Sequence, residues 1–114
     1  MRNLEQIRAT NALEAAKNIG TGPNEGKNIA KKVPTQIRNN GLLGAAAFAQ
    51  DSEKGYPDVM KAIIDHLRHN DIELTKAAGI KEFITEIGQA DSTQLRVVTA
   101  EAMAYLNYLR RFAD

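Results

Sequence analysis

His66 and His69 stand three residues apart, flanked by Asp65 and Asp71, a spacing that can hold a divalent cation on one helix face. The same stretch carries Met60, Ile63, Ile64 and Leu67 at helical spacing, and these claim its buried side. Both histidines are therefore expected at the edge of that side or in solvent, as ordinary surface residues with no metal. A second pattern, Gly22-Pro23-Asn24-Glu25-Gly26-Lys27-Asn28, has the look of a phosphate loop but is one residue short. Its lysine is followed by Asn28 where Ser or Thr would hold magnesium, and no strand precedes it, so an interhelical turn is expected. Glu82 and Glu86 form a like-charged pair four residues apart, which reads as a solvated edge and not as a catalytic dyad. Glu101 lies within a helical stretch near Arg96, Thr99 and Met103, where a structural ion pair or hydrogen bond is expected. No nucleophile and base stand at a telling spacing, and the chain has no cysteine. Disulfides, zinc thiolates and cysteine nucleophiles are thereby excluded. No catalytic residue, metal site or cofactor is assigned.

The basic run Lys27, Lys31, Lys32 and Arg38 has more to offer. Lys27 and Lys31 are four residues apart on one helix face, Lys32 is adjacent, and a bend at Pro34 would bring Arg38 to the same side. Such side chains contact phosphates as point charges, giving affinity without sequence choice. The plain alternative is a solvated face opposite Ile29, Val33 and Ile37. The formal net charge is only +1, yet residues 1–50 carry seven basic against three acidic side chains while residues 51–114 carry eight against eleven. One end can face an anion that the other repels.

Helices have to position all of these groups. A chain of 114 residues makes one domain with one core, and no alternating β-branched run points to a strand. A first helix is expected over residues 3–19, with Leu4, Ile7, Ala12, Ala15, Ala16 and Ile19 on one face, Asn3 as cap and Gly20-Thr21-Gly22-Pro23 as terminator. A second over residues 24–39 is kinked or split by Pro34. Gly41, or Asn40, takes a left-handed conformation after it. Residues 42–50 are apolar on nearly all sides, which predicts a helix in the middle of the core. A loop around residues 51–55 precedes a helix that opens at Pro57 and buries Tyr56, Met60, Ile63, Ile64 and Leu67. A short helix follows over residues 80–87. The last begins at Asp91 or Ser92, with Gln94 completing a capping box, and buries Leu95, Val98, Ala102, Tyr105, Leu106 and Leu109, then Phe112 or Ala113. The fold class is all-α, a compact single-domain bundle of five to six helices. The polar opening residues and the lack of a long apolar run lead to the expectation of a soluble, cytoplasmic protein.

Two stretches carry a resemblance. Val33-Pro34-Thr35-Gln36-Ile37-Arg38-Asn39-Asn40-Gly41-Leu42 is similar to a basic-Pro-x-x-Ile-x-x-Asn-Gly-Leu signature. Arg96-Val97-Val98-Thr99-Ala100-Glu101-Ala102, continuing through Tyr105 to Ala113, resembles the C-terminal helix of the same family, and the opening Arg2 to Ala9 its first helix. That family is the small helical subunit of the type III-B CRISPR effector, the Cmr complex. The sequence departs from it at Tyr108, where the family more often has Trp, and residues 51–90 show no matching motif. The resemblance implies a non-catalytic subunit present in several copies, stacked along an RNA-guided assembly beside the guide–target duplex and other Cmr subunits. It makes Lys31, Lys32 and Arg38 candidates for target-strand phosphates, and makes Pro34, Gly41, Arg96, Thr99, Glu101 and Phe112 a structural motif. Against this stands a helical adaptor that binds only protein.

Overall fold

The computed structural model describes residues 3–19, 26–53 and 55–113, and in these the chain forms six helices. The expected terminator at Gly20–Pro23 and the helix start at Asn24 lie outside the described residues. Helix α1 (Leu4–Ala16) begins at a reciprocal cap, in which Asn3 Oδ1 accepts from the Gln6 N–H and Gln6 Oε1 from the Asn3 N–H, both at 2.8 Å. Ile7, Ala12 and Ala16 are buried, but Leu4 is 43% exposed, as are Glu5 and Gln6 beside it. The second predicted helix is split, as proline chemistry requires. A single turn, α2 (Gly26–Ile29), is followed by α3 (Val33–Asp51), with Pro34 in its first turn, where a missing N–H costs nothing. Gly41 breaks α3 with φ 80° and ψ 163°. The positive φ is the one expected there, but ψ is extended and Leu42 resumes the helix at once, so the break is a kink.

Helix α4 (Tyr56–Arg68) occupies the centre and touches all five other helices, including α5 (Ile80–Gly88) and α6 (Ser92–Phe112). Val59, Met60, Ile63, Ile64 and Leu67 are all at most 1% exposed, which makes this one of the best-buried surfaces in the fold. The expectation that residues 42–50 form the central helix is corrected. Leu42, Ala45, Ala46 and Ala49 are buried, while Leu43 and Phe48 are 37% and 48% exposed. Composition misleads there because alanine fits either environment, so an apolar run of alanines does not report how many sides are covered.

Helix α6 starts where expected, with Asp91 accepting from the Gln94 N–H at 2.8 Å. It runs antiparallel to α1, since Arg8 meets Glu101 and Glu5 meets Tyr108. Val98, Ala102, Tyr105, Leu106 and Leu109 fill the core, and at its end Ala113 is buried while Phe112 packs against the core half-exposed. Glu82 and Glu86 are exposed as expected, but they also organise the connection before α5. Glu86 accepts from the Thr75 hydroxyl at 2.7 Å, and Glu82 reaches the Ala78 N–H. The radius of gyration is 12.8 Å, near the roughly 13 Å of a close-packed domain this size. No helix among the described residues is long and apolar enough to cross a membrane.

Candidate functional site

The charged groups divide into a buried centre and an exposed basic end. At the centre, Glu101 of α6 is 7% exposed and held by two elements at once. Arg8 of α1 grips it with both arms, Nε to Oε2 at 2.8 Å and Nη2 to Oε1 at 2.7 Å. His66 of α4 lies 2.8 Å from Oε2 through Nε2 and 3.0 Å from Asn11 Nδ2 through Nδ1. A carboxylate only accepts, so His66 Nε2 carries the hydrogen, and Asn11 donates to the bare Nδ1. Tyr105 completes the packing, its ring stacked on the imidazole at 4.3 Å and 14°.

The electrostatics follow from this geometry. Burial alone would raise the Glu101 carboxyl, but hydrogen bonds from Arg8 and His66 outweigh it and hold the group below its ordinary range. Burial wins at His66, lowering its pKa despite the bond to Glu101, because Arg8 already neutralises that carboxylate. The hydrogen bond to Glu101 raises the Arg8 guanidinium further. The most perturbed carboxylate in the fold is thus committed on both oxygens to structure.

This corrects two expectations. His66 is 2% exposed and lies in the core, not at its edge. The signal was present in the sequence, since Val59, Ile63 and His66 follow i, i+4, i+7 spacing on the buried stripe. Glu101 does form an ion pair, but with Arg8 and His66 from two other helices and not with its sequence neighbours. Residues at 96, 99 and 103 point elsewhere on the helix; Arg96 is exposed, and the Thr99 hydroxyl bonds the Leu95 carbonyl at 2.7 Å. His69 is committed elsewhere, its Nδ1 accepting from the Asp71 N–H at 3.2 Å. Among the described residues no three acidic or imidazole groups converge as a metal set.

The basic residues lie along α2 and the start of α3. Lys27 is half-buried on α2, while Lys31, Lys32 and Arg38 are exposed. Because α2 ends at Ile29, Lys31 and Lys32 occupy the turn between the helices, and Lys27 and Lys31 do not share one continuous helix face. Lys32 is the N-cap residue of α3, with no side-chain cap and no acidic residue in the first turn. Arg38 follows on α3, donating to Thr35 Oγ1 at 3.2 Å. Lys32 adds to the positive end of the helix dipole, a place where an anion is favoured.

A family model described as "CRISPR-associated protein (Cas_Cmr5)" matches residues 4–114. The crystal structure of a CRISPR-associated Cmr5 family protein from Thermus thermophilus superposes with a TM-score of 0.78 at 25% identity, covering 98% of this chain and 96% of the other. No curated protein matches the chain significantly. With all six helices and the Gly41 kink inside the matched span, the chain belongs to the CRISPR-associated Cmr5 family, the small-subunit family that its sequence resembles.

Proposed function

We propose that this protein is a non-catalytic structural subunit of a type III-B CRISPR RNA-guided complex, working in the cytoplasm. In this reading it stacks in several copies beside other Cmr subunits and contacts the guide–target RNA through Lys27, Lys31, Lys32 and Arg38. One observation carries the RNA contact: two exposed lysines crowd the uncapped, acid-free N-terminus of α3. Backbone N–H groups, dipole and ammonium groups there all favour a phosphate. The non-catalytic role is supported by the commitment of Glu101 to Arg8 and His66, which leaves it no free oxygen for acid–base work. In guided complexes base pairing reads the sequence, and a protein that meets only backbone is the expected companion.

Reversing the charges with Lys31→Glu, Lys32→Glu and Arg38→Glu together should weaken RNA retention. It should also flatten the salt dependence of binding, by about 0.7–0.9 per lost phosphate contact in log–log slope. Equal affinity of wild type and triple variant at low salt would remove these residues from the interface. A protein-only adaptor is the second reading, favoured by the exposed aromatic edge where Phe48 meets Tyr56 at 4.8 Å. It predicts no salt-dependent RNA binding by either form.

A further inference from the structure

A cleft of about 380 Å³ lies against α1 and α4. Tyr105 lines it, a residue only 1% exposed. Its hydroxyl makes no hydrogen bond to any described residue, so a nearly enclosed polar group stands beside the cleft with no described partner. Burial, and then the Asp65 carboxylate, hold the phenol far above its ordinary pKa, so it remains a neutral hydroxyl.

The remaining polar groups share one character. Glu14, Asp58 and Asp65 border the cleft; Glu14 pairs with Lys17 at 3.6 Å, and Asp65 with Lys61 at 3.1 Å and Arg68 at 3.3 Å. Asp58 is exposed and makes no ion pair or hydrogen bond among the described residues. Asn11 and Asn18 spend amide hydrogens on His66 and on the Glu14 carbonyl, and their oxygens have no hydrogen bond among the described residues. The cleft offers acceptors, and Asp58 is the carboxylate on its border that no described cation balances. Its walls include Ala15, Ile19 and Ala62, which can cover an aliphatic stem.

We propose that this cleft is a docking pocket for an arginine side chain presented by a neighbouring protein subunit, its guanidinium on Asp58 and directed toward the Tyr105 hydroxyl. Arginine is the side chain with five donors and no acceptor on an apolar stem, the complement of this inventory. A lysine would fill the charge but offers a compact, strongly hydrated head in place of a fork. The inference takes from the preceding reading only that the chain works within a protein assembly, and it leaves the RNA contact aside.

The test begins with the isolated chain and N-acetylarginine methylamide, followed by amide NMR to concentrations that saturate a millimolar site. Saturable shifts should appear around Asn11, Ala15, Ala62 and Tyr105, and the neutral isostere N-acetylcitrulline methylamide should give none. Asp58→Asn should weaken the arginine probe about tenfold, the worth of one charge-assisted hydrogen bond. Tyr105→Phe should weaken it about fivefold. The triple variant Lys31→Glu, Lys32→Glu, Arg38→Glu should bind the probe like wild type, so failure of the RNA reading leaves this one standing. Equal response to arginine and citrulline overturns the proposal. In a tagged purification of the assembly, Asp58→Arg should lose neighbouring subunits that Glu53→Arg retains. Saturable arginine binding with every subunit retained by Asp58→Arg would make the cleft a small-molecule site, and would equally overturn the docking proposal.

Discussion

His66 shows how one buried side chain can tie a fold to proton concentration. It faces Glu101 and Asn11 along its edges, Tyr105 across its ring, and the Arg8 charge beyond Glu101. The folded protein holds it neutral, with a pKa below the ordinary 6.5, so the unfolded chain binds the proton first as pH falls. Stability is therefore full above about pH 6.5 and declines as pH drops toward the folded-state pKa, with a slope of at most about 1.4 kcal/mol per pH unit. Glu101, also depressed, adds a second loss below its ordinary 4.5, in the same direction. Urea midpoints measured from pH 7 to pH 5 should fall for wild type and stay nearly flat for His66→Gln; identical profiles would exclude His66 as the source. At this scale the sequence was only half legible. An ion pair at Glu101 could be expected from a carboxylate in an apolar stripe, but its partners lie 93 and 35 residues away, and only the tertiary fold makes them neighbours.

Among the elements, local rules account for most of what forms. The Asn3 and Asp91 caps, Pro34 and Pro57 in first turns, and the Gly41 kink all follow from side-chain chemistry within a few residues. Two glycines separate two kinds of constraint. A Cβ at Gly26 would overlap the side chain of Ile19, whereas Gly41 has open space around it and a positive φ. Gly26→Ala should cost about 1–3 kcal/mol through overpacking, and adding Ile19→Ala should recover part of that loss. Gly41→Ala should cost about 1–3 kcal/mol from backbone strain alone, with no neighbour whose trimming rescues it. Denaturant titration of the three variants distinguishes the cases. The end of α6 gives a similar contrast. Leu109 is fully buried and Phe112 only partly, so Leu109→Ala should lose about 3 kcal/mol and Phe112→Ala clearly less. Equal losses would mean that Phe112 is as enclosed as Leu109. Whether an alanine-rich stretch such as residues 42–50 is covered on one side or all round was not legible, because helical periodicity locates a face but does not count the layers above it.

Across the whole molecule, the two end helices lie side by side, clamped by Arg8–Glu101 inside and by Tyr108 Oη donating to Glu5 at 2.8 Å outside. This pairing stands beyond sequence reading, since both stripes could be seen but nothing in them specified each other. Deleting residues 3–19 should therefore not leave a trimmed five-helix domain. It strips cover from α6, removes Arg8 from Glu101, and removes Asn11, which holds the other edge of His66. Loss of a cooperative thermal transition, with helical circular dichroism much reduced, is the expected result; a sharp transition in the truncated chain would show that α1 is an appendage. The antiparallel embrace of α1 and α6 also has a consequence in time. Synthesis releases the first helix early and its partner last, with α2 to α5 made in between. Until α6 emerges from the ribosome, Ile7, Ala12 and Ala16 on the nascent chain have only α4 to settle against, and a message cut short before that helix yields a product whose first helix lacks its main partner.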